Sequence, residues 1–328
     1  MVLTLTSLTA CGKGQAKTYK VGICNFVDDA SLNQICDNIQ QKLKAVEGEK
    51  NVTIEVLYDN CNMDFNTLPQ IVSTFMDKKV DVMVGIATPV AIQMQTSTAK
   101  NPIPVVFAAV SDPLGCDLVA SMEAPGANIT GTSDYLNTKA IFDIMFAVDP
   151  DLKKVGLLYD QGQDSSTAAI ADAKAYLTAK GVEIVEKTGT NINEIKDAAA
   201  ALVEAGVGAV FTPSDNTVMA AELSIADTFT MAGVLHYAGA DSFALNGAFL
   251  GYGVNYANLG QETGAMVADI LLNGKKPADL PVKTFDNGIA TVNEDVVAAL
   301  NMNMDDIKSL SAPYCNAFQT LKTAESFE

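Results

Sequence analysis

The feature that most constrains the fold is a regular alternation of short apolar runs with amphipathic stretches of helical length. In the first half, the apolar runs span residues 19–26, 52–58, 80–86 and 103–109. The amphipathic stretches between them span residues 32–46, 68–78 and 89–99. In the first stretch, Ile35, Ile39 and Leu43 fall on one helical face. The alternation predicts consecutive parallel β-α-β units.

The second half repeats this pattern. Its apolar runs span residues 153–160, 181–186, 207–212 and 233–238. "VGI" at 21–23 corresponds to "VGL" at 155–157, and "DVMVGIATP" corresponds to "VGAVFTPSD". A chain of 328 residues is long enough for two α/β domains. The repeat predicts two lobes, each with a doubly wound parallel sheet, because the units of a solenoid would be shorter and more uniform.

The late part of the chain belongs to neither repeat, so we expect it to cross back between the lobes. A helix ending at Asn273-Gly274 precedes "VKTFDNGIATVNEDVVAAL", which predicts a hairpin-like strand pair and a short helix. We expect residues 1–18 to form a leader remnant and tether. The expected lobe 1 comprises 19–133 and about 256–282, and the expected lobe 2 comprises 134–255 and about 283–328.

Charge and motif content argue against several functions. The net charge is −18, and all 21 basic residues are Lys, which disfavours nucleic-acid binding. The single histidine, His236, is interpreted as a packed strand residue, and its isolation disfavours His-based metal sites and Ser-His nucleophiles. No G-x-x-x-x-G-K-[ST], H-E-x-x-H or G-x-S-x-G motif occurs. We therefore expect no metal, no cofactor and no enzymatic activity.

The segment Leu8-Thr9-Ala10-Cys11-Gly12 matches a bacterial lipobox, in which the cysteine is lipidated and becomes the mature N-terminus. A polar stretch follows it, as a tether would. The alternative is an accidental match in a tail. Only ten residues precede Cys11 and none is basic, whereas a signal peptide needs a basic segment and an apolar core. We expect an extracytoplasmic protein anchored by lipid to the outer face of the cytoplasmic membrane, and soluble if expressed from this Met1.

Polar residues follow nearly every predicted strand, where parallel sheets bind ligands. These candidate site residues are Asn25, Phe26, Thr88, Ser111, Asp112, Ser133, Asp134, Ser165, Ser214, Asp215, Asn216 and Asp241. Singly, Ser, Thr, Asp and Asn favour helix caps; Asp112 before Pro113 is an example. The acid pair Asp28-Asp29 is interpreted as solvated surface.

Together, these residues favour a cleft for an amino acid. Helix N-termini and hydroxyl groups would hold its carboxylate, and an aspartate, preferably Asp215, would hold its ammonium group. Four aromatic residues are candidates for an apolar wall, although each alone is more typical of a core: Phe26, Tyr135, Phe243 and Tyr252.

Four segments resemble the substrate-binding proteins of ABC transporters of the tryptophan/tyrosine type: "IPVVFAAVSDPLG", "PGANITGTSDY", "TPSDNTV" and "GAFLGYGVNYANLGQETGAMVADILLNGKKPADLPV". The resemblance covers nearly the whole chain after the tether. It implies a type I periplasmic-binding fold with a hinge, a monomer, an aromatic amino acid in the cleft and a membrane permease as partner.

By the same resemblance, the implied ligand contacts are Thr88, Ser111, Asp112, Ser133, Asp134, Ser214, Asp215, Asn216 and Asp241. The alternative function is a ligand-sensing receptor for a signalling partner. An enzyme is the third hypothesis, because the chain lacks a nucleophile-base pair and a cofactor motif.

Overall fold

Two β-sheets, each flanked by helices, divide the chain into two lobes. The computed structural model describes residues 17–285, 288–324 and 326–327. Cys11 and most of the expected tether lie outside these residues. The predicted fold class, two α/β lobes with doubly wound parallel sheets, is confirmed.

Lobe 1 contains three β-α units followed by two further strands. Its elements are β1 (Thr18–Asn25), α1 (Ala30–Lys50), β2 (Thr53–Asn60), α2 (Thr67–Asp77), β3 (Val82–Ile86), α3 (Thr88–Thr98), β4 (Val105–Ala108) and β5 (Ile129–Ser133). No helix follows β4, where the chain instead turns through residues 112–117. The central strands are fully buried, because helices cover both faces of the sheet.

Lobe 2 repeats the same series. Its elements are α4 (Thr138–Val148), β6 (Lys154–Tyr159), α5 (Asp164–Lys180), β7 (Glu183–Thr188), α6 (Ile192–Glu204), β8 (Ala209–Thr212), α7 (Asn216–Ala232), β9 (Leu235–Ala238), α8 (Asp241–Leu245) and β10 (Leu250–Gly253). His236 lies in β9 with 2% of its surface exposed, the packed position that the sequence predicts.

The remaining elements return to lobe 1 and then to lobe 2. They are α9 (Tyr256–Asn273), a 3₁₀ turn (Pro277–Asp279), β11 (Lys283–Thr284), β12 (Ile289–Asn293), α10 (Glu294–Ala299), α11 (Met304–Ser311), a second 3₁₀ turn (Ala312–Tyr314) and β13 (Ala317–Leu321). In the described ranges, no helix is long and apolar enough to cross a membrane.

The six strands of the lobe 1 sheet have the same order as six strands of the lobe 2 sheet, as a duplication requires, and lobe 2 has one further edge strand, β13. Lobe 1 is ordered β11-β5-β4-β3-β1-β2, and lobe 2 is ordered β13-β12-β10-β9-β8-β6-β7. Gly22 and Gly156 occupy equivalent positions in β1 and β6. A Cβ on Gly22 would lie 2.6 Å from the Phe75 ring, and one on Gly156 would lie 2.9 Å from Leu202. Both glycines therefore allow a helix to pack closely against the sheet.

The late strands differ from the prediction. β11 pairs in parallel with β5 of lobe 1, whereas β12 pairs in antiparallel with β10 of lobe 2. They do not form a hairpin, because they belong to different sheets. Lys283 and Thr284 therefore belong to the lobe 1 sheet, although the sequence assigns residues from about 283 onward to lobe 2.

Three segments connect the lobes. The chain leaves lobe 1 after β5, returns between β10 and α9, and leaves again between β11 and β12. Helix α9 packs against α1 and against β4 and β5, so it completes lobe 1. These connections place the carboxyl ends of both sheets opposite each other across a cleft.

Candidate functional site

A cavity lies in the cleft, beyond the carboxyl ends of both sheets. It contains about 430 Å³ of space between atoms, and the centre of a water molecule can occupy only about 40 Å³ of it. The accessible 40 Å³ is below the roughly 300–1,000 Å³ typical of ligand sites, so the two lobes lie close together around a narrow space. Its lining residues come from both lobes: Asp29, Ser31, Leu32, Ala87, Thr88, Ala109, Ser111, Asp134, Ser165, Ser214, Asp215, Asn216, Met219, Ala240, Ser242, Phe243 and Tyr256.

Seven of the residues proposed from the sequence line this cavity. They are Thr88, Ser111, Asp134, Ser165, Ser214, Asp215 and Asn216. The other five do not line it: Asn25, Phe26, Asp112, Ser133 and Asp241. The structure gives each of these five another role.

Asn25 and Phe26 hold the end of β1 in the core of lobe 1. The Oδ1 atom of Asn25 accepts a hydrogen bond from the Phe26 N–H at 2.9 Å, and its Nδ2 donates to Asn33 Oδ1 at 3.1 Å. The Phe26 ring is fully buried and lies 5.7 Å from the Phe65 ring. Both side chains therefore stabilise the base of the cleft from within the lobe.

Asp112 and Ser133 stabilise the backbone near the cavity. Asp112 Oδ1 accepts a hydrogen bond from the Gly115 N–H at 2.8 Å, so Asp112 closes a turn and does not cap a helix. Ser133 Oγ accepts from the Tyr135 N–H at 3.1 Å and donates to the Ser111 carbonyl at 3.4 Å. The sequence suggested a cap at Asp112 because Pro113 follows it, but the turn through Gly115 replaces the helix.

Asp215 lines the cavity, yet both of its carboxylate oxygens are already used. Oδ1 accepts hydrogen bonds from the N–H groups of Thr217 and Val218, each at 3.0 Å, which caps α7. Oδ2 accepts from the Asp160 N–H at 2.8 Å and from Ser166 Oγ at 2.7 Å. Asp215 is therefore poorly placed to hold an ammonium group, contrary to the preference derived from the sequence.

Sequence reasoning missed Asp29, which is 8% exposed and caps α1. Its Oδ1 accepts a hydrogen bond from the Leu32 N–H at 2.9 Å. Its Oδ2 makes no hydrogen bond within the described part of the chain. Helix α1 begins at Ala30, two residues before the predicted start. An Asp immediately before a helix is the signal that would have identified this residue.

An acidic cluster forms one end of the cavity. Asp134 Oδ1 accepts a hydrogen bond from Ser111 Oγ at 3.0 Å. Burial raises the pKa of Asp134 to about 6, although the Ser111 bond partly offsets it. Burial also raises the pKa of Asp29. Burial, together with the charges of Asp134, Asp241 and Asp29, raises the pKa of Tyr256 well above its usual value. This end of the cavity therefore favours a positively charged group.

Uncapped helices and unpaired hydroxyl groups supply hydrogen-bond donors. Helices α3 and α5, which touch each other across the cleft, have no side-chain cap. Among the described residues, Thr88 Oγ1 and Ser165 Oγ are buried and have no hydrogen-bond partner. Helix N-termini carry free N–H groups and a positive partial charge. These donors suit a carboxylate.

The backbone is strained where it presents Thr88 to the cavity. Ala87 has φ 75° and ψ 156°, a region populated almost only by glycine. Ala109, which also lines the cavity, has φ 54°. Such strain persists only where the surrounding structure imposes it, and it is common at binding sites.

Four apolar or aromatic side chains form a wall of the cavity: Leu32, Met219, Phe243 and Tyr256. Of the aromatic candidates from the sequence, only Phe243 belongs to this wall. Tyr252 is buried in lobe 2, where its hydroxyl donates to the Tyr314 carbonyl at 2.7 Å, and Tyr135 is 54% exposed. The wall suits a flat apolar side chain.

Ser31 and Asp241 join the lobes beside the cavity. Ser31 Oγ in α1 donates a hydrogen bond to Asp241 Oδ1 at 2.6 Å, and it accepts one from the Ser242 N–H at 3.3 Å. Burial raises the pKa of Asp241 to about 6, and the nearby charge of Asp29 adds to this increase. Asp241 therefore contributes to lobe closure and does not line the cavity.

A family model described as "ABC transporter substrate binding protein" matches residues 20–313. The chain belongs to this family. It is 27% identical to a tyrosine-binding protein of Clostridioides difficile (strain R20291), over 95% of this chain and 94% of that protein. The family assignment agrees with the resemblance noted in the sequence.

Two solved structures of the family differ in how well their lobes superpose on this one. A Streptococcus pneumonia domain in complex with L-Trp has a TM-score of 0.83, with 27% identity, over 92% of this chain and all of that one. The ligand-free, open structure of a Clostridium difficile substrate-binding protein with adhesive properties has a TM-score of 0.69, with 29% identity, over 93% of this chain and all of that one. This chain therefore superposes more closely on the L-Trp complex than on the open, ligand-free structure.

Proposed function

We propose that this substrate-binding protein captures an aromatic amino acid outside the cell and delivers it to the permease of an ABC importer. The observation that carries the proposal is the composition of the cavity: an acidic cluster, a set of free hydrogen-bond donors and an aromatic wall in one closed space. An amino acid with an aromatic side chain has three groups that match these surfaces.

The ammonium group would lie against Asp134 and Asp29. Both carboxylates are at least nine-tenths buried, and Asp29 Oδ2 lacks a partner within the described residues. No lysine lines the cavity in the described part of the chain, and the sequence has no arginine. A buried carboxylate is costly unless a positive group or hydrogen bonds compensate it, so a bound ammonium would stabilise the closed lobes.

The carboxylate would lie between the N-termini of α3 and α5. Thr88 belongs to lobe 1 and Ser165 to lobe 2, so a carboxylate held by both hydroxyl groups would bridge the cleft. Ser111 and Ser214 also line the cavity, but their hydroxyl groups already donate to Asp134 and to the Gly239 carbonyl. Ser165 and Thr88 are therefore the first choice for carboxylate contacts.

The side chain would lie against Phe243 and Tyr256, where ring-to-ring contacts add to the burial of apolar area. The L-Trp and tyrosine named for the two relatives are both aromatic amino acids. This agreement supports the ligand class and leaves the choice among Trp, Tyr and Phe to experiment.

Two further features belong to the proposal. Lipidation of Cys11 would hold the protein at the outer face of the membrane beside its permease. We also propose that it acts as a monomer, because one chain supplies both halves of the cavity.

Isothermal titration calorimetry against the twenty amino acids tests the ligand. We expect micromolar or tighter binding of at least one aromatic amino acid and no measurable binding of acidic or basic ones. The Asp112→Asn variant is a matched control, because this aspartate follows a lobe 1 strand but lies outside the cavity, and its affinity should equal that of the unmodified protein. Absence of binding of every amino acid would overturn the proposal.

A further inference from the structure

The single histidine of the protein lies behind the cavity, where it links two other buried polar side chains. His236 Nε2 lies 2.8 Å from Thr212 Oγ1, and His236 Nδ1 lies 3.0 Å from Glu222 Oε1. All three residues are at most 2% exposed, and none of them lines the cavity. A ligand cannot reach this group, so the Thr-His-Glu arrangement is not a catalytic centre.

Each of these three residues lies on a different segment that forms the lobe 2 side of the cavity. Thr212 ends β8, two residues before Ser214, which lines the cavity. Glu222 lies on α7, one turn after the lining residue Met219.

His236 lies on β9, and its ring packs edge-on against Phe243 with 6.2 Å between ring centroids. The three side chains therefore connect the carboxyl end of β8 and the first half of β9 with helix α7.

The connection is stiff because its members are buried and polar. Glu222 Oε2 has no hydrogen-bond partner within the described residues, so in this part of the chain the carboxylate is held by the contact between Oε1 and His236. Removal of a buried hydrogen-bond partner leaves the other group unsatisfied, which strongly disfavours any rearrangement that breaks the contact. Nearby, Ser214 Oγ donates to the Gly239 carbonyl at 2.8 Å and joins the segments that follow β8 and β9.

We propose that Thr212, His236 and Glu222 form a positioning network that fixes Ser214, Met219 and Phe243 relative to one another. Because Phe243 and Met219 contribute to the cavity wall, the network determines which aromatic side chain fits best. This inference rests on the proposed function, since it concerns selectivity at the same cavity.

Three threonine variants test the network. Thr212→Val keeps the shape of the side chain but removes its hydroxyl, whereas Thr212→Ser restores a hydroxyl. Thr291→Val is the matched control, because Thr291 is a buried strand threonine of lobe 2 that accepts a hydrogen bond from Gln319 at 2.8 Å and lies outside the network. Calorimetry gives the dissociation constants for Trp, Tyr and Phe with each variant.

We expect Thr212→Val to change the ratio of the Trp and Phe dissociation constants by about fivefold, the effect of one lost buried hydrogen bond. Thr212→Ser and Thr291→Val should keep the ratio of the unmodified protein. An unchanged ratio in Thr212→Val, or an equal change in Thr291→Val, would overturn the inference. If Thr212→Val does not fold, Glu222→Met, which removes the acceptor for His236, is measured in the same way; the same change in the ratio is expected, and an unchanged ratio would overturn the inference.

Nuclear magnetic resonance gives a second readout, because ¹⁵N-histidine labelling reports on His236 alone. The ring nitrogen shifts should change when the ligand binds, and a bound ligand that leaves them unchanged would contradict the inference.

Failure of the proposed function is recognised separately, by an unmodified protein that binds no aromatic amino acid. In that case, crystal structures of the ligand-free Thr212→Val and Thr291→Val variants decide. If Ser214 and Phe243 are displaced only in Thr212→Val, the network is supported. If these residues occupy the same positions in both variants, the inference is overturned.

Discussion

Helices α3 and α7 occupy equivalent positions in the two lobes, but their first turns differ. Each follows the equivalent strand, β3 or β8, and each begins at the cavity. Helix α7 is capped by Asp215, which occupies its free N–H groups. Helix α3 has no cap, and Ala87 before it is strained. The duplication has therefore preserved the architecture, while only the lobe 1 helix keeps its N-terminus available to a ligand.

The same difference extends to the acids. In lobe 1, Asp29 has a free carboxylate oxygen at the cavity within the described structure, and Asp134, in the crossover directly after β5, is a buried acid that accepts a hydrogen bond from Ser111. In lobe 2, Asp215 accepts four hydrogen bonds from its own lobe. We infer that lobe 1 and the crossover after β5 supply the acidic groups, and that lobe 2 contributes a preformed wall together with the Ser165 hydroxyl.

The largest expected effect is that of Asp215→Asn on stability. The substituted amide places a donor opposite the Asp160 N–H and Ser166 Oγ, so we expect a loss of about 3 kcal/mol in the free energy of unfolding. Asp112→Asn is the lobe 1 counterpart, and because Asp112 holds a single turn we expect a loss below about 1 kcal/mol. Urea unfolding measures both. Equal losses in the two variants would contradict the view that Asp215 is the structural aspartate.

The second effect concerns ligand affinity. Asp134→Asn removes a charge-assisted contact with the ammonium group, and we expect affinity to fall by roughly 30- to 100-fold, or about 2–3 kcal/mol. Calorimetry with the tightest-binding amino acid measures this loss. Unchanged affinity would move the ammonium site to Asp29 or elsewhere. Asp117→Asn, outside the cavity, is the control.

The raised pKa of Asp134 also predicts opposite effects of acid on binding and on stability. Below pH 6, its carboxyl group becomes protonated in the ligand-free protein, so affinity should fall between pH 7.5 and 5. Because its pKa is about 6 in the folded protein and 3.8 ordinarily, the folded state binds the extra proton between about pH 4 and 6. This group therefore adds stability as pH falls through that window.

Thermal unfolding of the ligand-free protein measures this second effect, and Asp134→Asn should remove part of the gain in melting temperature between pH 7 and 5. A variant with the same pH profile as the unmodified protein would contradict the assignment.

Much of this arrangement follows from sequence pattern, because periodicity and strand ends are local properties. The repeated alternation predicts both sheets, and the rule that ligands bind at carboxyl strand ends brings seven proposed residues to the cavity. Asp29 was missed because the pair Asp28-Asp29 looks solvated, whereas α1 begins early enough to bury one member. Tyr256 follows a crossover whose path depends on tertiary packing, and the strain at Ala87 is a backbone property that no residue pattern reveals.

The third effect is on lobe closure. Ser31→Ala removes the hydroxyl that bridges to Asp241 and Ser242, so the closed arrangement should lose about 1 kcal/mol relative to the open one. We expect about fivefold weaker binding, mostly through faster dissociation in stopped-flow measurements. Ser309→Ala, on an exposed helix of lobe 2, is the control. An unchanged dissociation rate would show that the Ser31 contact does not hold the lobes together.

The smallest effect tests the strained start of α3. Ala87→Gly relieves a positive φ of 75°, and the gain should exceed the extra entropy that glycine brings to the unfolded chain, for a net stabilisation of up to about 1 kcal/mol. Ala240→Gly, at a residue of lobe 2 that also lines the cavity and follows β9, has an extended φ of −158° and should instead be neutral or destabilising. Urea unfolding of both variants measures the difference. If the two glycines changed stability equally, the strain would not be specific to lobe 1, and the proposed contrast between the uncapped α3 and the capped α7 would rest on hydrogen bonding alone.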